Sequence, residues 1–189
     1  MTVISDTSPL NYLVLIDLQD VLPALFGHVL IPEAVWHELR SPAAPQPVKD
    51  FLDSWPRWLD CRVVSQVRPD LQQLDPGEQE AIALAQSVGA SLVLLDEKRG
   101  RQAARDLGLA VSGTLGVLDL AARRGLVDLA DALKRLERTT GGAKGSTPTR
   151  SGLPSRPSAG ATSLDQLFHT LSTAAFRRPG EQMSPFETF

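Results

Sequence analysis

The sequence predicts an α/β fold: a mainly parallel central sheet with helices on both faces, three layers in all, followed by a disordered C-terminal tail. Three observations carry this. Short apolar runs alternate with helix-periodic stretches through residues 1–138, the cadence of strand–helix units that build a parallel sheet. Two of the apolar runs end in acids, Val3-Ile4-Ser5-Asp6 and Leu92-Val93-Leu94-Leu95-Asp96-Glu97, and the carboxyl ends of strands face the ligand crevice of an open α/β sheet. At Thr139 the composition changes abruptly: of the 51 residues from there to Phe189, 26 are Gly, Pro, Ser or Thr. Such a segment buries too little apolar surface to repay the entropy of ordering.

The elements follow in order. Thr2–Ser5 reads as a buried first strand, and Thr7-Ser8-Pro9 turns into a helix over Leu10–Ile16, with Pro9 in a first turn where its missing N–H costs nothing. A second short helix spans Leu18–Phe26. Val29–Ile31 is the second strand, and Pro32 opens the helix that carries Val35, Trp36, Glu38 and Leu39. Ser41–Pro47 is rich in Pro and Ala and reads as a loop. Val48–Trp58 is helical and Cys61–Val64 is the third strand. Asp75-Pro76-Gly77-Glu78 is a helix-start signature, since Asp caps while Pro and acids favour the first turn. That helix runs to Val88, where Gly89 breaks it. Ser91–Leu95 is the fourth strand, Glu97–Leu107 a helix stopped by Gly108, and Leu109–Val111 the fifth strand. Gly113-Thr114 opens a helix through Arg124, and Leu126–Arg138 forms the last one. The chain therefore divides into a domain of residues 2–138 and a tail of residues 139–189. Within the tail only Leu164–Phe176 has helical spacing, with Leu164, Leu167, Phe168 and Leu171 on one stripe.

Composition narrows the functional classes. Hydrophobic residues make up 42% and charged residues 22%, as in ordinary globular domains. The single Cys61 excludes an intramolecular disulfide framework and a Cys-rich zinc site. Asp6 and Asp17 interrupt the first apolar run, which does not resemble a signal peptide. No run approaches the ~18 apolar residues of a membrane span. The expected location is cytoplasmic, with no membrane partner. Net charge is −3, with 14 Lys/Arg against 19 Asp/Glu in residues 1–138 and 5 against 3 beyond. That argues against tight nonspecific duplex binding. It does not exclude a polyanionic substrate, because acids that chelate a divalent cation have their local field neutralised or reversed.

Four acids have settings that place them at one sheet edge: Asp6, Asp96, Glu38 in Ala34-Val35-Trp36-His37-Glu38-Leu39, and Glu78 in Gly77-Glu78-Gln79-Glu80-Ala81-Ile82. Converging carboxylates make a hard-cation site, since Mg²⁺ takes oxygen ligands and keeps several waters, and a cation pair can share four. Each acid also has a plainer reading. Asp6 and Asp96 can cap helices, Glu78 can pair with a helix dipole, and Glu38 can be a solvated helix acid. Thr7 and Ser8 are candidates for orienting a water or a phosphate, or simply form the turn. Lys98, Arg99 and Arg101, just past Asp96, are candidates for holding a substrate phosphate, or a solvated basic patch.

Five segments in order carry a resemblance. They are Val3-Ile4-Ser5-Asp6-Thr7-Ser8-Pro9-Leu10, then Ile31-Pro32 with Val35-Trp36-His37-Glu38-Leu39, then Gly77-Glu78-Gln79-Glu80-Ala81-Ile82-Ala83-Leu84-Ala85. Leu94-Leu95-Asp96-Glu97-Lys98-Arg99-Gly100-Arg101 and Gly113-Thr114-Leu115-Gly116-Val117-Leu118 complete the set. Together they resemble a PIN domain of the DUF3368 branch, related to VapC-type toxins of toxin–antitoxin modules, over residues 2–138. The resemblance implies a PIN-like three-layer fold and a Mg²⁺- or Mn²⁺-dependent ribonuclease with an acidic tetrad. Carried over by motif, Asp6, Glu38, Glu78 and Asp96 are both metal ligands and catalytic residues. It also implies a cognate antitoxin as partner and a homodimer. Glu80 is a possible substitute for Glu78. Helical phase favours Glu78, which shares a stripe with Ala81, Ile82 and Ala85, while Glu80 points about 200° away. The third acid is a Glu where VapC-type toxins usually carry Asp.

The rival from another class is a non-catalytic PIN-like module that binds RNA or a protein. The four acidic positions favour catalysis over it. Receiver domains need an acidic pair after the first strand and haloacid-type phosphatases a second Asp at position 8; the lone Asp6 and Ser8 count against both.

Overall fold

The computed structural model describes residues 1–141. Five strands, β1 (Val3–Ser5), β2 (Val29–Pro32), β3 (Leu59–Arg62), β4 (Leu92–Leu94) and β5 (Val111–Ser112), pair in the order β3-β2-β1-β4-β5. Every pairing is parallel. The helices are α1 (Thr7–Leu15), α2 (Val21–Phe26), α3 (Glu33–Leu39), α4 (Gln46–Ser54), α5 (Pro76–Val88), α6 (Lys98–Asp106), α7 (Thr114–Arg123) and α8 (Leu129–Gly141), with one 3₁₀ turn at Pro69–Leu71. Among the described residues no helix is long and apolar enough to cross a membrane.

Side chains alternate across the sheet, as the pleat requires. Val3, Val29, Ile31 and Leu94 point into one apolar layer with Leu10, Leu13, Leu22, Leu52, Val117, Leu118 and Leu136 of the surrounding helices. Ile4, Val93 and Leu95 point into the other, against Ala81, Ile82 and Ala85 of α5 and Ala104 of α6. The sequence reading of a parallel sheet covered on both faces therefore holds.

The chain builds β1, β2 and β3 outward in one direction, then returns to lay β4 on the other side of β1. That reversal opens a crevice beyond the carboxyl ends of β1 and β4, the place where open α/β sheets bind ligands. Asp6 follows β1, and its N–H donates to Leu94 O at 3.0 Å. Asp96 lies two residues beyond the end of β4.

Several boundaries differ from the sequence reading, each for a physical reason. Helix α1 starts at Thr7, not Leu10, because the first turn donates no intrahelical N–H and so accepts Pro9. Helix α4 starts at Gln46 with Pro47 in its first turn, and ends before Trp55-Pro56 rather than at Trp58. Strand β3 is Leu59–Arg62 rather than Cys61–Val64 because pairing sets its register, with Val29 opposite Leu59 and Ile31 opposite Cys61. Strand β5 is Val111–Ser112, set by Val93 and Leu94 beside it, and not Leu109–Val111. Helix α8 begins at Leu129, not Leu126, where Asp128 Oδ1 accepts the Asp131 N–H at 2.8 Å as a cap does. The tail and its Leu164–Phe176 helix lie outside the described residues.

Candidate metal centre

Asp6 occupies the turn from β1 into α1 with extended backbone, the N-cap position, yet its side chain makes no cap hydrogen bond. It is 4% exposed. Burial, opposed by the Thr7 and Ser8 N–H groups and reinforced by the Glu38 and Asp96 charges, pushes its pKa up to about 6. Glu38, on the last turn of α3, is exposed and accepts the Thr7 hydroxyl proton through Oε2. Helix α5 closes the gap between these two acids. A Cβ added at Gly77, in the first turn of α5, would lie 2.9 Å from Asp6 Oδ1 and 3.1 Å from Glu38 Oε2. Two carboxylates thus converge on a space that exists because residue 77 has no side chain.

Glu78 follows directly. It is 3% exposed, and burial together with the charges of Glu97, Asp6 and Asp75 raises its pKa to about 7. Its Oε2 reaches back to the Asp75 N–H at 3.4 Å, the arrangement of a capping box. Its Oε1 is buried without any hydrogen-bond partner. That oxygen lies against α6: a Cβ on Gly100 would overlap it. One carboxylate oxygen each from Asp75, Glu78 and Glu97 lie within 4.8 Å of one another.

Asp96 is held differently. It is half-buried, and its Oδ1 accepts the Thr114 N–H at 2.7 Å while Oδ2 accepts the Thr114 hydroxyl at 2.6 Å. Burial raises its pKa against the pull of Thr114 and of the Arg101 charge. Gly113 makes room here, because a Cβ there would sit 2.5 Å from Asp96 Oδ1.

The four acids of the sequence reading therefore meet around the ends of β1 and β4, with Asp6 at the centre and the charges of Glu38, Asp96 and Glu78 all acting on or from it. Glu80 does not join them: its Oε2 accepts the Ala34 N–H at 2.9 Å, at the start of α3. Helical phase separates the two glutamates as expected. The basic residues divide. Lys98 and Arg99 are exposed on the first turn of α6, whereas Arg101 is half-buried with its Nε unpartnered. Its Nη1 lies 3.7 Å from the point where a Gly113 Cβ would sit, on the Asp96 side of the site. Thr7 bonds Glu38, and Ser8 offers its N–H toward Asp6.

Sequence reasoning missed Asp75, Glu97, Thr114 and the spacing role of Gly77, Gly100 and Gly113. Asp75 and Glu97 stand at the N-cap positions of α5 and α6, so each reads in sequence as an ordinary capping residue. The recurrent Gly beside the acidic segments was a signal: three glycines lie against four acids.

The donor set is carboxylate oxygen throughout, and among the described residues no Lys or Arg nitrogen comes within 4.0 Å of Asp6, Glu38, Asp75, Glu78, Asp96 or Glu97. Oxygen-only, anionic and partly desolvated, it fits a hard divalent cation. A buried carboxylate oxygen without a partner is costly unless something satisfies it.

The sequence profile of the DUF3368 family, described as a PIN domain, matches residues 2–142. No curated protein matches the chain. Among solved structures it is similar to a PilT N-terminus domain protein from the hyperthermophilic archaeon Sulfolobus solfataricus, at 20% identity and a TM-score of 0.47, over 71% of this chain and 95% of that one.

Proposed function

The chain belongs to the DUF3368 family of PIN domains, and from that premise we propose that it is a Mg²⁺- or Mn²⁺-dependent endoribonuclease, the toxin of a type II toxin–antitoxin module acting in the cytoplasm. PIN domains are typically nucleases that use divalent metal and bind RNA. The observation that carries the reading is Glu78 Oε1, an acid oxygen buried without a partner beside three further carboxylates at the β1–β4 crevice.

In this proposal Asp6, Glu38, Glu78 and Asp96 hold the cation, directly or through water. When bound, it would supply a nucleophile at neutral pH, polarise the phosphate and steady the leaving oxygen. The chain's own groups do the rest. Thr7 fixes the Glu38 carboxylate, Thr114 fixes both Asp96 oxygens, and Gly77 keeps the space between Asp6 and Glu38 open. Lys98 and Arg99, exposed at the crevice end of α6, are proposed to hold flanking RNA phosphates. Arg101, half-buried near Asp96, is assigned the phosphate nearest the reacting bond. The activity is assigned to residues 2–138, with residues 139–189 as a tail outside that unit. A cognate antitoxin covering the crevice and a homodimer are proposed as partners on the family resemblance. All four tetrad positions are acidic, which weighs against a non-catalytic module.

The full chain should cleave single-stranded RNA with Mg²⁺ or Mn²⁺ and stop when EDTA is added. Cleavage that persists in EDTA would exclude this mechanism.

A further inference from the structure

Strand β3 forms one edge of the sheet, pairing with β2 on one side and, among the described residues, with nothing on the other. The register fixes which backbone groups that edge presents. The Trp58 carbonyl accepts the Val29 N–H of β2 at 2.9 Å, and backbone groups alternate sides along a strand. Asp60 and Arg62 therefore bond toward β2. Leu59, Cys61 and, one residue beyond the strand, Val63 direct their N–H and C=O groups outward. Among the described residues only the Leu59 N–H of that outward row has a partner, the Pro56 carbonyl at 3.0 Å.

Edge strands ordinarily carry charge that stops another strand from adding. Here the charges have the opposite effect, because they alternate in sign. Asp60 and Arg62 lie two residues apart on one face of the strand, and they meet each other only at 3.9 Å, with both side chains largely exposed. In an antiparallel pairing of two copies about a two-fold axis at Cys61, Asp60 of each copy falls opposite Arg62 of the other. That is the closely spaced position, where cross-strand side chains interact most. Cys61 falls opposite Cys61, and Leu59 opposite Val63. Val63 is 72% exposed, more than any other large apolar side chain among the described residues. This pairing lays it beside Leu59, at the strand end where the half-buried Phe51 and Trp58 rings pack 5.9 Å apart. The outward backbone groups match as well: the Cys61 N–H of each copy meets Cys61 O of the other, and the Val63 N–H meets Leu59 O. One segment is thus complementary to itself in charge, apolar contact and hydrogen bonding, which is what a two-fold interface demands.

We propose that two copies of this chain join by antiparallel pairing of their β3 edges, centred on Cys61, so that two five-stranded sheets become one continuous sheet. This gives the homodimer of the proposed function a surface and a register drawn from this chain's own residues, and it is independent of the metal-dependent reading. Because the strands run antiparallel across the junction, the carboxyl ends of β1 and β4 in the two copies lie at opposite ends of the joint sheet.

The test is sedimentation velocity of the full-length chain over a micromolar dilution series, in reducing buffer so that Cys61 cannot cross-link the copies. The wild type is expected to form a reversible dimer. Asp60→Arg sets two arginines against each other at both ends of the pairing, and Arg62→Asp sets two aspartates against each other. Each variant is expected to raise the dimer Kd by about tenfold or more. An equimolar mixture of the two variants restores opposite charges at both positions and is expected to dimerise as the wild type does. The double variant Asp60→Arg/Arg62→Asp is expected to do the same. Recovery on mixing also excludes misfolding as the cause of either loss. A dimer that survives both reversals would put the junction on another surface, overturning the β3 pairing and leaving a homodimer standing. Variants that dissociate and do not recover on mixing would overturn the pairing as well. A wild type that is monomeric throughout the series would overturn both the junction and the homodimer.

Discussion

Asp96 and Glu78 stand at two corners of the same crevice, and the protein treats them in opposite ways. At the Asp96 corner each carboxylate oxygen has a donor from Thr114, and Arg101 adds positive charge nearby. At the Glu78 corner one oxygen has a donor at 3.4 Å, the other has none, and the neighbours whose charges act on it are Asp6, Asp75 and Glu97. At the first corner the carboxylate is satisfied as folded. The second leaves one buried carboxylate oxygen without a donor. On the metal-dependent reading proposed above, such a site separates two tasks: one acid is fixed in place by the fold, while another is left for binding to satisfy.

The most damaging change to this contrast is to remove one acid from each corner. Glu78→Gln and Asp96→Ala should each lower kcat by about 10²-fold or more, the scale of losing a principal charge-stabilising group. Their effects on the metal-free fold should have opposite signs. Glu78→Gln takes a charge out of a buried, acid-lined position, so the melting temperature in EDTA should rise. Asp96→Ala strips the acceptor from the Thr114 N–H and hydroxyl, in a residue 3% exposed. Unpartnered groups there cost about 1–3 kcal/mol, so the melting temperature should fall by a few degrees. If both variants melt lower than the wild type, the Glu78 corner is not frustrated and the contrast fails.

A smaller effect sharpens the comparison through pH. Asp6 and Glu78 have folded pKa values of about 6 and about 7, against roughly 4 for unfolded carboxyls. Between those limits the native chain binds more protons than the unfolded one, so these two groups make the metal-free protein less stable as pH rises from about 4 to about 7. Above that window both states are deprotonated and the loss is complete. Thermal melts in EDTA should therefore show stability falling from pH 5 to pH 8, with a shallower fall in Glu78→Gln. Saturating Mg²⁺ should stabilise the wild type more at pH 8 than at pH 5, since it competes with protons for the same oxygens. Equal stabilisation at both pH values would place the cation on other groups.

How far the sequence could be read follows from what determines each feature. Helix α5 was legible to the residue because its ends are written locally, Asp75-Pro76-Gly77 at the start and Gly89 with φ +60 at the end. Strands β3 and β5 were misplaced by one or two residues because their limits come from partners distant in sequence, Val29 and Val93, and not from their own apolar content. That Asp6 and Asp96 follow strand ends and that Glu78 and Glu80 face apart was legible, because strand ends and helix phase place acids on faces. The glycines' role was not, since it depends on which oxygen another helix brings to each: Asp6 and Glu38 to Gly77, Glu78 to Gly100, Asp96 to Gly113. Asp75 and Glu97 were hidden by looking like caps, which by position they are.

The smallest expected effect comes from Glu80, two residues from Glu78 and the same residue type. Its Oε2 accepts the Ala34 N–H at 2.9 Å, in the first turn of α3, where a negative charge also suits the helix dipole. Glu80→Gln keeps an amide oxygen able to accept that bond, so what is lost is mainly the charge, worth about 0.3–1 kcal/mol near a helix N-terminus. Helix α3 carries Glu38, so a slight loosening of its start should reach the site only as a modest rise in KM for metal, with kcat within about threefold of wild type, a change below 1 kcal/mol in the barrier. Glu78→Gln, by contrast, removes an acid that faces the site itself. Metal-dependence curves of RNA cleavage for the two variants, measured side by side, decide the matter. Should Glu80→Gln prove the more damaging, the roles of the two glutamates are reversed, and the unpartnered oxygen of Glu78 would need another explanation.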